Sequence, residues 1–195
     1  MKKLIIFGTG DYAEVAHYYF KNEGKYVIEY FTIDKKYYHD KNFLGLEVKI
    51  FEEIEKNISA YDDYYFFIAI GFSKQNQNRK NVYEKLKSLN VKFANFISKD
   101  ALIANNVEIG KNVFILEQNN LQPFVKIGDN VVLWSGNHIG HHSTIGDHSF
   151  VTSHVVISGG VKVGDESFIG VNATIVDHIN IENGKFIKAN SLIIN

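Results

Sequence analysis

Two different periodicities of apolar residues divide the chain. Up to about residue 97, short apolar runs alternate with segments of helical spacing, and glycines stand where elements are expected to end. Strands that alternate with helices in this way predict a small Rossmann-like parallel α/β sheet. The strands are predicted at residues 3–7, 26–33 and 64–70, and the helices at residues 11–22 and 77–89.

Beyond residue 97 an aliphatic side chain recurs every six residues. All sixteen positions of this register, from Ile103 to Ile193, are Ile, Leu or Val, and the following residue is often glycine. Neither a helix nor simple alternation keeps such a register. A six-residue period predicts a parallel β-helix in which three hexads close one triangular coil. Residue i then lies over residue i+18, about 4.8 Å along the stack.

Composition narrows the possible functions. The 195 residues carry 22 acidic and 21 basic side chains, a balance that argues against binding nucleic acid or an anionic membrane by bulk charge. No apolar run approaches the ~20 residues of a membrane helix, and the N-terminus lacks the features of a signal peptide, so we expect a cytoplasmic protein. The absence of cysteine excludes disulfides, thiolate metal sites and a cysteine nucleophile.

A glycine turn follows the first predicted strand. Gly8, Gly10 and Ala13 have the spacing that lets backbone amides approach a pyrophosphate at the positive end of a helix. Asp34 comes 21 residues after Ala13, where a ribose contact is expected. The simpler interpretation is that the glycines only form a tight turn. Fewer than a hundred residues precede the repeat, which leaves room for one mononucleotide half of a dinucleotide fold.

Several segments together carry a family resemblance. The chain resembles the PglD-like sugar acetyltransferases, which have a hexapeptide-repeat left-handed β-helix and include NeuD-type relatives similar to sialic acid O-acetyltransferases. The matching segments are Ile-Phe-Gly-Thr-Gly-Asp-Tyr-Ala at 6–13, Phe-Thr-Ile-Asp at 31–34, Phe66 to Gly71 with Arg79-Lys80, Ile-Gly-His-His at 139–142 and Ser-Gly-Gly-Val-Lys-Val-Gly at 158–164.

The resemblance implies a division of labour and a reaction. Residues 1–97 would form a nucleotide-sugar-binding domain, and residues 98–195 a left-handed β-helix acetyltransferase domain. The implied activity is acetyl-CoA-dependent N-acetylation of a nucleotide-linked amino sugar, such as a UDP- or dTDP-4-amino-4,6-dideoxyhexose, for bacterial surface glycan synthesis. The expected partners are that sugar and acetyl-CoA, without metal, nucleic acid or membrane. A homotrimer is expected, with the thioester in a groove between two subunits.

The resemblance also assigns candidate site residues. His141 would be the general base, and adding 18 places it over Gly159, which leaves space for a thioester beside backbone N–H groups that can hold an oxyanion. Ser158 and Gly160 flank this glycine in the segment expected to contact acetyl-CoA. The predicted substrate-binding residues are Gly8, Gly10, Asp11, Asp34, Lys35, Gly71 and Trp134.

Three positions depart from the family pattern. His142 stands where an acid usually orients the catalytic histidine, so it is a second catalytic candidate and the orienting group must be sought elsewhere. Trp134 replaces a small polar residue, which points either to an altered acceptor pocket or to a packing anchor between subunits. The chain stops at Asn195 in mid-repeat, without the Gly-Val-Pro-Ala-like ending of most members, which indicates a trimmed C-terminus.

Alternatives remain open at this point. One is O-acetylation of a sialic acid or related sugar, although the missing acid slightly favours an amine acceptor, which needs a weaker base. A γ-carbonic-anhydrase-like zinc enzyme is another, because the coils contain six histidines. A third is a nucleotide-sugar-binding protein without activity. Apart from His141, the simplest interpretation of the coil histidines is as polar residues facing solvent or a neighbouring subunit.

Overall fold

The computed structural model describes residues 1–194 as two compact units. The first unit comprises Met1–Gly71 and Asn81–Ala94, and the second comprises Phe72–Lys80 with the chain from Asn95 onward. No helix in the described part of the chain is both long and apolar enough to cross a membrane. The sequence analysis divides the chain at residue 97 into a nucleotide-sugar-binding domain and an acetyltransferase domain. That division of functions stays a prediction.

In the first unit, the predicted strands and helices form with small shifts at their ends. Gly24 adopts a left-handed conformation (φ 73°) and ends the first helix, as the sequence pattern indicates. The strands are β1 (Lys2–Phe7), β2 (Tyr26–Ile33), β3 (Asn42–Phe43), β4 (Leu46–Ile50), β5 (Tyr64–Ile68) and β6 (Lys92–Phe93). The helices are α1 (Asp11–Glu23), α2 (Phe51–Lys56) and α3 (Gln77–Ser88), whose first residues belong to the second unit, with 3-10 turns at Lys35–Tyr37 and Ile58–Tyr61.

The sheet of the first unit has the strand order β3-β4-β2-β1-β5-β6 and is parallel except at one margin. β1 pairs in parallel with both β2 and β5, so the carboxyl ends of these strands share one edge. At the margin, β3 and β4 form an antiparallel hairpin. Leu44 (φ 51°) and Gly45 (φ 80°) are both left-handed, which is the geometry of a tight two-residue hairpin turn.

Apolar side chains cover both faces of this sheet. On one face Ile5 packs with Phe66, Phe51 and Tyr83 in a buried cluster. On the other face the ring of Phe20 from α1 lies 4.9 Å from the ring of Phe67. Burial on both faces explains why the central strands are continuous apolar runs with no polar alternation.

The second unit is a prism of three parallel sheets built from two-residue strands. The first sheet contains β7 (Phe96–Ile97), β10 (Phe114–Ile115), β13 (Val132–Leu133), β16 (Phe150–Val151), β19 (Phe168–Ile169) and β22 (Phe186–Ile187). The second contains β8 (Leu102–Ile103), β11 (Asn120–Leu121), β14 (His138–Ile139), β17 (Val156–Ile157), β20 (Thr174–Ile175) and β23 (Leu192–Ile193). The third contains β9 (Glu108–Ile109), β12 (Lys126–Ile127), β15 (Thr144–Ile145), β18 (Lys162–Val163) and β21 (Asn180–Ile181).

The six-residue register predicted from the sequence is the register of the prism. Each aliphatic of the register is the second residue of its strand, and Leu121 pairs with Ile103 and with Ile139, each 18 residues away. These side chains form one buried cluster along the axis, with Ile103 and Ile193 only partly buried near its ends. The predicted parallel β-helix, with three hexads in each coil, is therefore confirmed.

From Asn112 to Asn190, each corner of the prism has a residue in the left-handed conformation. Along the corner between the third and first sheets these residues include Asn112, Asn130, His148 and Glu166, with φ between 54° and 62°. Asparagine and histidine tolerate positive φ better than most residues, which explains why they recur there. Many of the coil histidines are thus at corners because the backbone requires it.

The segment Phe72–Lys80 covers this same corner within the second unit. Arg79 is fully buried and donates to the backbone oxygens of Asn130 and His148, the latter at 2.7 Å. His148 is only 5% exposed, and its Nδ1 lies 2.9 Å from Nδ2 of Asn130. The expectation of a histidine that faces solvent or another subunit is therefore wrong for His148, because a distant segment buries it.

Candidate active site

His141 and His142 lie at the corner between the second and third sheets, directly after β14. We call the left-handed residues of this corner, Phe124, His142, Gly160 and His178, the histidine corner. His142 has φ 60°, and its N–H donates to the oxygen of Pro123 at 3.1 Å. Both histidine side chains are exposed in the chain. The corner therefore presents two imidazoles on the outside of the prism.

The ring of His141 lies directly over Gly159, as the 18-residue spacing predicts. A Cβ built on Gly159 would stand 2.7 Å from Cε1 and 2.8 Å from Nε2 of His141, which is closer than atoms can approach. The backbone N–H of His141 donates to Oε1 of Gln122 at 3.0 Å. Glycine at 159 is thus needed to admit the imidazole itself. The imidazole of His141 therefore lies directly over the Cα of Gly159.

The backbone N–H groups around Gly159 already have acceptors. Ser158 donates to Ile175 at 3.0 Å and Gly160 to His141 at 2.8 Å, both to backbone oxygens. The N–H of Gly159 donates to the carboxylate of Asp177 at 2.8 Å. An oxyanion at the Gly159 amide would therefore have to displace this carboxylate. Asp177 is a residue that the sequence interpretation missed.

The two histidines of the corner contact each other. Nδ1 of His141 lies 3.1 Å from Nδ1 of His142, and the ring planes are inclined at 85°. The ring of His142 stacks on Phe124, with centroids 4.6 Å apart and 24° between planes. Phe124 precedes His142 by 18 residues, so the stacking rule could have identified it from the sequence. The pair has a preferred mutual orientation despite its exposure.

Trp134 follows β13 on the first sheet, at a different corner from His141. It is half-buried outside the aliphatic interior, and its ring centroid lies 6.3 Å from that of Phe150. Its backbone oxygen accepts hydrogen bonds from Asn119 at 2.8 Å and Asn137 at 2.5 Å. The indole therefore lies outside the aliphatic interior of the prism. Its role in an acceptor pocket stays a prediction.

The two glycines of the turn in the first unit differ in whether the backbone requires glycine there. Gly8 has φ 127°, and a Cβ there would meet the oxygen of Ala69 at 2.6 Å, so this position requires glycine. Gly10 precedes α1 as its N-cap with φ −98° and open space around it. Within residues 1–194, the backbone N–H groups of Thr9, Gly10 and Asp11 have no backbone acceptor. The turn therefore offers free amide donors.

The other candidates of the first unit lie at the same sheet edge. Asp34 directly follows β2 and is half-buried, and the N–H of Lys35 donates to the carboxylate of Glu52 at 2.9 Å. Gly71 lies shortly after β5, with open space around it. Because β2, β1 and β5 are parallel neighbours, the residues that follow them meet beyond their carboxyl ends, the usual ligand position of such sheets.

Acidic side chains lie next to the glycine turn, where a phosphate-binding site would favour basic ones. Asp11 and Glu14 both lie in the first turn of α1, and the Asp11 side chain is exposed. Carboxylates there already interact with the positive end of the helix. A bound phosphate would therefore depend on the amides and on Lys35, whereas Asp11 is suited to sugar hydroxyl groups.

In the described part of the chain no group of three or more His, Cys, Asp or Glu side chains is placed to hold a metal ion.

Sequence comparison identifies both parts of the chain. Residues 3–86 match the family described as PglD N-terminal domain, and residues 124–159 match Bacterial transferase hexapeptide (six repeats). Together the matches span more than half of the chain. The first part of the chain thus matches the PglD N-terminal domain family, and the second part matches the hexapeptide repeats, as the sequence resemblance implies. None of the curated proteins matches it in sequence.

Solved structures with a similar fold cover all or nearly all of the chain. A variant of perosamine N-acetyltransferase from Caulobacter crescentus, in complex with CoA and GDP-perosamine, has a TM-score of 0.88 at 20% identity, covering 100% of this chain and 90% of that one. The acetyltransferase domain of PglB from Neisseria gonorrhoeae FA1090, in complex with acetyl coenzyme A, has a TM-score of 0.84 at 19% identity over 98% and 92%. WeeI from Acinetobacter baumannii AYE has a TM-score of 0.65 at 17% identity over 100% and 97%. At this identity the likeness establishes the fold.

Proposed function

We propose that this protein is an acetyl-CoA-dependent N-acetyltransferase that acts on a nucleotide-linked amino sugar. The observation that carries the proposal is His141, an exposed imidazole fixed over Gly159 at the outer corner of a hexapeptide prism. The PglD-type first unit supports it, with free amide donors at the edge where parallel sheets bind ligands. Similar structures hold CoA and GDP-perosamine, or acetyl coenzyme A.

In the proposed reaction His141 acts as the general base. Its Nε2 takes a proton from the sugar amine while the amine nitrogen bonds to the thioester carbonyl carbon. The tetrahedral intermediate collapses by breaking the carbon–sulfur bond, and the thiolate of CoA takes up the proton from His141. The amide N–H of Gly159 is our candidate donor to the oxyanion, once the Asp177 carboxylate moves away.

The finer assignments are proposals of the same kind. Residues 1–97 would bind the nucleotide sugar through Gly8, Gly10, Asp11, Asp34, Lys35 and Gly71, and residues 98–195 would carry out the transfer, with Ser158, Gly159 and Gly160 beside acetyl-CoA. The sugar would be a 4-amino-4,6-dideoxyhexose on UDP or dTDP, and the structure bound to GDP-perosamine adds GDP to the carriers to be tested. We place the reaction in the cytoplasm because both substrates are cytoplasmic metabolites.

A homotrimer is part of the proposal. The outer face of the second sheet exposes the apolar side chains of Leu102 (70%), Val156 (40%) and Leu192 (64%) in one column that also contains Asn120, His138 and Thr174. Packing this face against neighbouring subunits would remove that surface from water. Light scattering coupled to size exclusion tests the oligomeric state, and a monomer at assay concentration would contradict this part.

The activity is tested by an acceptor screen. The protein is incubated with acetyl-CoA and with UDP-, dTDP- or GDP-linked amino sugars, and released CoA thiol is measured. Turnover with at least one amino sugar is expected. Acetyl-CoA binding by calorimetry without thiol release from any acceptor would instead indicate a binding protein. Thiol release only with sialic acid and related hydroxyl acceptors would indicate O-acetylation.

A further inference from the structure

Among residues 1–194, the side-chain group that contacts Nδ1 of His141 is the imidazole of His142. A base that receives a proton at Nε2 must carry its own proton on Nδ1, because neutral imidazole has one N–H. That Nδ1–H needs an acceptor to fix the tautomer. The atom within hydrogen-bond distance of Nδ1 of His141 is Nδ1 of His142, at 3.1 Å.

We infer that His142 is the positioning residue of His141, accepting the Nδ1–H of the base at its own Nδ1. This inference rests on the proposed acetyl transfer and adds to it the device that selects the reactive tautomer. For His142 to accept at Nδ1, its single proton must be on Nε2. The pair is therefore a neutral donor–acceptor chain, whereas a carboxylate partner would supply a negative charge.

The surroundings of His142 hold its ring in the accepting position. Its backbone is fixed in the left-handed conformation by the hydrogen bond to Pro123, and its ring stacks on Phe124. His141 is held from the other side, since its N–H donates to Gln122 and its ring rests on Gly159. Each imidazole is thus held by its own set of contacts, and these contacts bring the two Nδ1 atoms to 3.1 Å from each other.

A neutral partner has a chemical consequence for the acceptor. When His141 takes up the substrate proton, a carboxylate would stabilise the imidazolium by charge, but a neutral imidazole does so only by a hydrogen bond. The pair therefore offers no compensating negative charge to the imidazolium that forms on His141. An amine needs less activation than a hydroxyl, so the pair fits an amine acceptor.

Two variants of His142 test whether a hydrogen-bond acceptor at this position orients the base. In His142→Asn the Oδ1 atom is bonded to Cγ, as Nδ1 is in histidine, so it can accept the same proton, and Asn tolerates positive φ. His142→Ala removes the acceptor, and we expect kcat to fall about 10- to 100-fold with KM little changed, as for other supporting partners. His142→Asn should stay within about threefold of the parent.

The matched control is His154→Asn. His154 has the same left-handed conformation (φ 58°) at another corner, above Gly136, and contacts neither histidine of the pair. The same substitution there should leave kcat unchanged. A loss in His154→Asn equal to that in His142→Ala would overturn the inference, since it would show a general effect of altering corner histidines.

The decisive readout is the imidazole tautomer, which nitrogen NMR of isotope-labelled histidine reports in the free protein. We expect His141 protonated on Nδ1 and His142 on Nε2 in the parent, His141 still on Nδ1 in His142→Asn, and loss of that preference in His142→Ala. Finding His141 protonated on Nε2 in the parent would overturn the inference. This measurement needs no substrate, so it decides the pair even if the acceptor screen contradicts the proposed activity.

Discussion

His141 and Gly159 are a complementary pair, in which the imidazole of one occupies the space left by the missing side chain of the other. The two residues are 18 positions apart and stack in successive coils, with Nε2 of His141 2.8 Å from where a Cβ of residue 159 would stand. This contact sets the direction of the Nε2 atom. The geometry of the proposed base thus depends on a residue in the next coil.

Gly159→Ala tests this dependence. The added methyl group overlaps the ring, so His141 must move by several tenths of an ångström, and we expect kcat to fall about 10- to 100-fold because proton transfer depends on position. A double-mutant cycle with His141→Ala provides the control. In the His141→Ala background, Gly159→Ala should have little further effect. A full additional loss there would show that Gly159 acts independently of the histidine.

Asp177 is predicted to restrain the reaction. Its carboxylate accepts the N–H of Gly159 at 2.8 Å, which is the donor proposed for the oxyanion. Asp177→Ala frees that donor, and one hydrogen bond of about 0.5–1.5 kcal/mol corresponds to a rise of about two- to tenfold in kcat/KM for acetyl-CoA. Asp165→Ala is the control, since Asp165 accepts the N–H of Asp147 in the same way at another corner. A lower kcat/KM in Asp177→Ala alone would contradict the prediction.

The two glycines of the first turn should separate stability from binding. Gly8→Ala combines positive φ with a clash against Ala69, and we expect about 2–4 kcal/mol of destabilisation by chemical denaturation. Gly10→Val has room for its side chain, so the fold should persist while nucleotide-sugar binding weakens far more than acetyl-CoA binding. Equal loss of both ligands in Gly10→Val would mean misfolding.

Trp134→Asn distinguishes a pocket from a packing anchor. If the indole covers the sugar across a subunit interface, the variant should remain trimeric with a raised KM or a changed sugar preference. Dissociation of the trimer, measured by light scattering, would assign it to packing. Unchanged kinetics in an intact trimer would contradict the pocket role.

The fold was largely predictable because every interior position of its six-residue repeat is Ile, Leu or Val. The aliphatic register from Ile103 to Ile193 gave the coil length, and from it the stacking of His141 on Gly159. The hairpin at Leu44 and Gly45 was not predicted, because its strands are too short for any periodicity. The buried Arg79 was missed for another reason, since its acceptors Asn130 and His148 are 51 and 69 residues away.

The parts of the candidate site that could be predicted are those that follow from the 18-residue spacing between stacked residues. His141 and Gly159 were paired by the 18-residue rule, but the same rule also relates Gly159 to Asp177 and His142 to Phe124. The contact between the two Nδ1 atoms could not be read from the sequence. It depends on side-chain rotation and on the left-handed backbone of His142.

The most direct test of the proposed activity compares the parent with His141→Ala on the product itself. Both proteins are incubated with acetyl-CoA and the best amino-sugar acceptor, and the nucleotide sugar is analysed by mass spectrometry with CoA binding measured in parallel. The parent should add one acetyl group as an amide that resists mild base, and His141→Ala should lower kcat by ~10²–10⁴-fold while still binding CoA. Near-full turnover in His141→Ala would contradict the assignment of the base.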